Sequence, residues 1–289
     1  MENSSNERFS IRCILSVTRF EYVRWISNPR MIIFGVLLVF IYQLIIDPLL
    51  QNASKMGQPL NMMEPYLAVG NSAFLVMLIP AVYLVLLSDY PKMRDGMMNM
   101  ITRCGKTNWF LGQLLFIVCS IISIISAIFV FCMAFSKGVM SNDWSETVRK
   151  YIAEFPEERY SFAVNLLPSN LYNQMDVEYA VLNTTVFLFS GMLVLALILF
   201  LFKLYHLDAI GLLLGVSISG AGVVSFMLGS KIMWIWPTAN ALVWRHFDII
   251  LAARKAPVWR SHVYFGTLIV LLLCINAHAM KKMQFINIE

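Results

Sequence analysis

Residues 109–135 read WFLGQLLFIVCSIISIISAIFVFCMAF and contain no Asp, Glu, Lys or Arg. A helix of about 20 apolar residues is long enough to cross the hydrocarbon core of a bilayer. The run therefore predicts a transmembrane helix. The fold class then depends on how many such runs the chain contains.

The composition of the whole chain places it in the membrane class. Of its 289 residues, 59% are hydrophobic and 13% are charged, whereas soluble domains average about 25% charged residues. The mean hydropathy is +0.69. The net charge of +5 is better assigned to individual loops than to a nucleic-acid partner. The five cysteines show neither CxxC nor Cys/His spacing, so neither a metal site nor a disulfide framework is predicted.

Six apolar segments are long enough to span a bilayer, and none has an ionisable side chain in its interior. They are residues 31–47, 70–88, 109–135, 180–202, 209–230 and 261–280. We expect Asp47 and Pro48 to end the first span, and Pro80 to kink the second. The prediction is one all-α integral membrane domain over residues 1–289, with spans one to three in 31–135 and spans four to six in 180–289.

The distribution of basic residues predicts that both termini are cytoplasmic. Residues 1–30 carry five arginines, and no apolar segment of a signal peptide precedes Met31. Four segments are expected inside and together hold 12 of the 22 Lys and Arg residues: 1–30, 89–108, 203–208 and 281–289. The loop 136–179 then lies outside, where it is too small for a catalytic domain. The serines at 141 and 145 predict short helices in it.

One loop is unusually basic for its predicted outer position. Residues 230–260 contain five Lys or Arg residues and a single acid, Asp248. The segment also contains Trp234, Trp236 and Pro237 in an apolar stretch too short to span. We interpret it as a re-entrant or interfacial helical hairpin before the last span, and a seventh span is the alternative.

The N-terminal segment has the pattern of an amphipathic helix. From Ile11 to Ile26, apolar and aromatic residues including Trp25 recur at helical spacing, and Arg12 and Arg19 lie largely off that stripe. The pattern predicts a helix in the inner membrane interface. An ordinary basic juxtamembrane tail is the alternative.

Residues 89–115, DYPKMRDGMMNMITRCGKTNWFLGQLL, contain a Gly105-Lys106-Thr107 triplet that resembles the end of a P-loop. A P-loop needs glycine five residues earlier, and that position is Met100. We predict instead a short methionine-rich helix from about Lys92 to Ile101, which Arg103-Cys104-Gly105 ends, with Thr107 as the N-cap of the third span. Such a helix can fill a groove on another protein, or its methionines can pack against the helices of this chain.

The architecture and the 89–114 motif resemble type-2 ABC exporter permeases. These have an N-terminal elbow helix, six spans, a coupling helix between the second and third spans, and broken helices before the sixth. Their coupling loop is matched here by Asp89, Arg94-Asp95-Gly96, the apolar stretch 97–101, the basic turn 103–106, and Leu111-Gly112-Gln113-Leu114.

The resemblance implies a function carried out with partner chains. It implies that residues 92–106 dock an ABC ATPase subunit, which holds the ATP and Mg²⁺, through eight residues: Met93, Arg94, Asp95, Met97, Met98, Met100, Arg103 and Lys106. It also implies a second permease copy or a homologous permease, a bacterial cytoplasmic membrane, no nucleic acid, and no catalytic or cofactor-binding residue on this chain. The predicted spans are lined with aliphatic residues and Phe rather than with charge, which favours a hydrophobic or amphipathic cargo. The family analogy favours a small peptide such as a bacteriocin or modulin.

Three other classes of function remain open. An ion-coupled secondary transporter needs ionisable residues near the middle of the membrane, and the predicted spans lack them. A membrane enzyme needs a catalytic motif, and neither HExxH nor a recognisable Ser/His spacing occurs. A non-transporting accessory or immunity protein needs no specific residue, so the sequence does not argue against it.

Overall fold

The computed structural model describes residues 9–91, 97–248 and 255–282. This part of the chain forms helices and turns, and an isolated β-bridge joins Asn61 to Val139. The α-helices are α1 Ile11–Ile26, α2 Met31–Ile41, α3 Asp47–Met56, α4 Glu64–Asn71, α5 Ala73–Leu87, α6 Met97–Cys104, α7 Lys106–Phe135, α8 Glu146–Glu154, α9 Ser169–Tyr172, α10 Val177–Leu204, α11 Asp208–Met227, α12 Pro237–Ala241 and α13 Trp259–Lys282.

Five helical stretches among the described residues are long and apolar enough to cross a membrane. They are Met31–Met56, Lys106–Phe135, Val177–Leu204, Asp208–Met227 and Trp259–Lys282. Helices α4 and α5 meet the same criteria only as a pair, and they are bent by 81° where they join. The chain is therefore an all-α, multi-pass membrane protein, with five such helices or six if the bent pair counts as one.

The first spanning helix is longer than the sequence predicts. A π-helical turn, Tyr42–Ile46, joins α2 to α3, and the helix continues through Asp47 and Pro48 to Met56. The prediction that Asp47 and Pro48 end this span was wrong. Pro48 stands in the first turn of α3, directly after the wider π turn, and proline is tolerated in a first helical turn. The helix ends instead at Gly57, which has a left-handed backbone conformation.

The second predicted span also changes direction at an unexpected place. Helix α5 runs through Pro80, and the break lies earlier, at Ser72. The side chain of Asn71 donates to Thr184 Oγ1 at 3.1 Å and accepts from the backbone N–H of Val243 at 3.1 Å. These two bonds fix the break against α10 and against the segment after α12.

The helices give the molecule two distinct ends. We call residues 9–30, 88–91, 97–108 and 203–208 the α1 end, where Arg30 pairs with Asp89 at 2.8 Å and the Tyr90 hydroxyl donates to the Arg24 carbonyl at 2.8 Å. Residues 55–63, 136–176 and 228–248 form the loop end, where Lys55 pairs with Glu158 at 2.6 Å. The grouping separates the same loops that the sequence assigns to opposite sides of the membrane.

The segment before the last helix consists of short pieces. It contains the 3-10 turns Lys231–Ile235 and Val243–His246 on either side of α12, which packs against α5, α10, α11 and α13. No helix in the described part of this segment is long enough for a seventh span. Pro237 begins α12 and is buried, while Trp234 and Trp236 are partly buried. Of the short helices predicted in the loop 136–179, the one near Ser145 is confirmed, since Ser145 caps α8 by accepting from the Val148 N–H. In this loop, all of which the structure describes, no helix begins near Ser141.

Candidate functional site at the α1 end

Helix α1 packs along the first half of α7. The predicted bounds of α1, Ile11 to Ile26, are confirmed. Its buried face meets α7 at Gly112, where an added Cβ would lie only 2.7 Å from Val17 Cβ. The Thr18 hydroxyl is 3.0 Å from the Gly112 carbonyl. Glycine at this position therefore allows the backbones of α1 and α7 to come into contact.

One side chain joins three helices at this end. Asn108 accepts a hydrogen bond from the backbone N–H of Ser10 at 3.0 Å and donates to the Cys104 carbonyl at 2.7 Å. It thus connects the N-cap of α1, the end of α6 and the start of α7. The Cys104 thiol also lies near Cys13 in the first turn of α1, and burial, followed by the influence of this thiol, raises the pKa of Cys104. These contacts tie the end of α6 to both α1 and α7.

Gly105 separates α6 from α7. Its backbone φ of 81° lies in a region that residues other than glycine rarely adopt, so the chain turns sharply there. The predicted stop near Gly105 is thus confirmed. The predicted N-cap at Thr107 was wrong, because α7 already begins at Lys106 with Gly105 in the cap position.

The residues expected to contact an ATPase fall into three groups. Met93, Arg94 and Asp95 lie outside the described residues. For Met97 and Met98 only the backbone of α6 is described. Of the other three, Met100 is partly buried against the core, Arg103 is exposed, and Lys106 is partly buried at the start of α7.

The residues predicted for the N-terminal helix separate onto two faces. Arg12 and Arg19 are exposed, whereas Trp25 is 1% exposed and packs edge-on against Phe116, with ring centroids 6.2 Å apart. Trp25 is thus a packing residue between α1 and α7.

A buried charged cluster at the α1 end was not predicted from the sequence. Lys203 was expected in a short polar turn, but it lies in the last turn of α10 and is 1% exposed. The carboxylates of Asp208, Asp89 and Glu21 are near enough to interact electrostatically with its amine, although none of them forms an ion pair with it. Glu21 is itself 4% exposed and accepts from Gln113 at 3.3 Å. The cluster brings together α1, α7, α10 and the start of α11. The sequence could not predict it, because it depends on contacts between residues that are far apart in the chain.

The loop end contains a Ser/His contact that sequence spacing did not show. Ser261 Oγ lies 3.2 Å from His246 Nε2 and donates to Asn240 Oδ1 at 2.8 Å. Ser261 and His246 are both fully buried, so a substrate has no path to the hydroxyl. Asn240 in turn donates to the carbonyls of Trp234 and Trp236. Asn240, His246 and Ser261 therefore hold the short helical pieces of residues 231–246 against α13.

The described residues contain no group of three or more His, Cys, Asp or Glu side chains that could hold a metal ion. No protein-family model, curated protein or solved structure matches this chain.

Proposed function

We propose that this chain is the membrane subunit of an ATP-driven ABC exporter. In this proposal α1 is the elbow helix, α6 is the coupling helix, and the α1 end faces the cytoplasm of a bacterium. A separate ATPase chain holds the ATP and Mg²⁺, and two permease chains form the transport unit. The observation that carries the proposal is the Asn108 joint, because it makes a short helix between two spans mechanically continuous with both α1 and α7.

The mechanism follows from that joint. When two ATPase subunits close on ATP, they displace the helix docked on them. Helix α6 is eight residues long, or about 12 Å, and it moves as a unit. Gly105 transmits the displacement to the base of α7, and Asn108 transmits it to the N-terminus of α1. In this proposal the spans then reorient around a passage between the two permease chains. The exposed side chains of the spans are mostly aliphatic and aromatic, which would suit a hydrophobic or amphipathic cargo such as a small peptide.

An ion-coupled secondary transporter is the second candidate, and the 81° break between α4 and α5 is the observation that favours it. Transporters of that class build binding sites from broken helices. Here the polar groups at the break bind one another: Asn71 bonds to Thr184 and Val243, and its carbonyl accepts from Trp244 Nε1 at 3.0 Å. These bonds occupy groups that would otherwise coordinate an ion, so the exporter is the stronger proposal.

Co-purification of an ATPase tests the proposal. The tagged full chain is purified from its native host in mild detergent after cross-linking, and bound chains are identified by mass spectrometry together with vanadate-sensitive ATP hydrolysis. We expect a P-loop ATPase with the unmodified chain. We expect it to be lost with Met97→Asp/Met98→Asp, and with Thr102→Pro, which breaks the interior of α6.

Met140→Asp provides the matched control. Met140 is 70% exposed at the loop end, so the same methionine-to-acid change there should leave ATPase binding intact. The proposal is wrong if the unmodified chain carries no ATPase, or if the α6 variants retain it at the level of the control.

A further inference from the structure

Helix α1 leaves a large apolar surface uncovered. Its buried face packs on α7, but large side chains on its other faces are exposed, including Ile11 at 63% and Leu15 at 54%. The exposed apolar set is Phe9, Ile11, Leu15, Phe20, Val23 and Ile26. Ile11, Leu15 and Ile26 share one side of the helix, next to the face that contacts α7.

Two arginines border that apolar side. Arg12 and Arg19 are seven residues apart, so they lie on the same face of α1, separated by about 10 Å along the axis. Both are exposed. Neither side chain makes an ion pair or hydrogen bond with the rest of the described chain, whereas Arg24 lies over the Phe20 ring at 5.0 Å and Arg30 pairs with Asp89.

The exposed surface of α1 carries no negative charge. Its one acid, Glu21, is buried and turned toward Gln113 of α7. The helix therefore presents a lipophilic side edged by two available guanidinium groups. Guanidinium groups form paired hydrogen bonds with phosphate oxygens, and basic groups at a membrane surface attract anionic lipids.

We propose that Arg12 and Arg19 form a binding site for the phosphate groups of anionic phospholipids, while Ile11, Leu15 and Ile26 contact the acyl chains. This inference rests on the proposed placement of α1 in the membrane interface and does not require an ATPase. Because Ser10 and Cys104 are both bonded to Asn108, lipid bound to α1 also steadies the end of α6. Lipid composition then regulates the joint on which the proposed function depends.

Lipid binding to the full chain tests this site. The purified protein in uncharged detergent is titrated with phosphatidylglycerol or with phosphatidylcholine, and bound lipid is counted by native mass spectrometry. We expect a preference for phosphatidylglycerol that weakens as salt is raised. Arg12→Gln/Arg19→Gln should lower phosphatidylglycerol binding by about fivefold for each arginine and leave phosphatidylcholine binding unchanged.

Two further variants separate the site from general charge effects. Helix α13 runs in the same direction as α10, as the contacts of His262 with Asn183 and of Asn276 with Leu197 show. Its exposed Lys281 and Lys282 therefore lie at the α1 end too, and Lys281→Gln/Lys282→Gln removes the same charge away from α1. Arg12→Lys/Arg19→Lys keeps the charge, and should retain the preference for phosphatidylglycerol with weaker binding.

The proposal is supported if only the Arg→Gln pair removes the preference. It is overturned if the unmodified chain binds both lipids equally, or if the lysine pair at 281 and 282 has the same effect as the Arg→Gln pair. The lipid titration contains no ATPase, so a negative lipid result does not affect the co-purification test of the exporter. In the same way, the absence of a co-purified ATPase does not affect the test of the lipid site.

Discussion

The polar side chains at the two ends of this molecule differ in how many hydrogen bonds and ion pairs they make. At the loop end, Glu64 is 0% exposed and accepts from the Asn61 N–H at 3.0 Å, the Ser145 N–H at 2.7 Å and the Ser145 hydroxyl at 2.8 Å. At the α1 end, Lys203 is buried with no carboxylate of the described chain within ion-pair distance, and Arg12 and Arg19 point outward. The buried carboxylate of Glu64 is thus fully bonded within the loop end, whereas the α1 end leaves Lys203 without an ion pair among the described residues and exposes Arg12 and Arg19 to other molecules.

The loop end should therefore depend strongly on Glu64. In Glu64→Ala two backbone N–H groups and a hydroxyl lose their acceptor, at about 1–3 kcal/mol each where they stay buried. We expect a loss of about 3–5 kcal/mol in the free energy of unfolding, together with faster proteolysis within residues 136–176. Thermal unfolding in detergent and limited proteolysis measure the two effects.

Glu146→Ala is the control for this comparison. The Glu146 side chain is 59% exposed, and surface changes of this kind usually alter stability by less than about 0.5 kcal/mol. If the two variants were equally stable, the loop end would not be held by the Glu64 contacts.

A change at Gly112 should affect the opposite end alone. In Gly112→Ala the new methyl group would lie 2.7 Å from Val17 Cβ and 3.1 Å from the Ile14 carbonyl, so α1 must shift away from α7. Overpacking of this kind costs about 1–3 kcal/mol. We expect faster hydrogen exchange in residues 11–26 and unchanged exchange in residues 136–176.

Gly35→Ala is the matched control, because nothing lies within 4 Å of the added Cβ. In this variant, hydrogen exchange in residues 11–26 and in residues 136–176 should be unchanged. Equal exchange in the two alanine variants would show that α1 does not depend on close contact with Gly112.

The smallest expected effect is a dependence of the loop end on pH. Burial lowers the pKa of His246, and the nearby His262 and Arg260 act in the same direction. An unfolded histidine has a pKa of about 6.5, so below that pH the unfolded chain binds more protons than the folded one. Stability must then fall on acidification, by up to about 1.4 kcal/mol for each unit by which the pKa is lowered.

Melting temperatures between pH 7.5 and 5.5 measure this dependence. His246→Gln removes the titrating group and should flatten the decline, even though it also weakens the bond from His246 Nδ1 to the Ala256 carbonyl, 3.3 Å in length. An unchanged slope in the variant would assign the acid sensitivity to another group.

Much of the helical plan could be predicted from the sequence. The bounds of α1 were predicted without error, and the spans at 109–135, 180–202 and 261–280 were each placed within three residues of the observed ends of α7, α10 and α13. These predictions succeeded because the length of an apolar run and its periodicity are local properties. The helical part of the 92–106 segment was also expected, although the roles of its side chains stay predictions.

The errors and omissions share a different cause. Asp47 and Pro48 carry the signals that usually end a helix, yet the π turn before them lets the helix continue. The bend was expected at Pro80, but it is at Ser72, where Asn71 is bonded to residues more than a hundred positions away. Local residue preferences contain no information about such partners.

By itself, the sequence determined that this is an all-α membrane chain and approximately where its long helices lie, because transfer of an apolar helix into lipid depends on consecutive residues. Only the tertiary structure decided which groups meet. It brought Ser10, Cys104 and Asn108 into one joint, buried Lys203 and Glu21 at the same end of the molecule, and placed His246 beside Ser261. Those arrangements depend on how the helices pack, since each brings together residues that are distant in the chain.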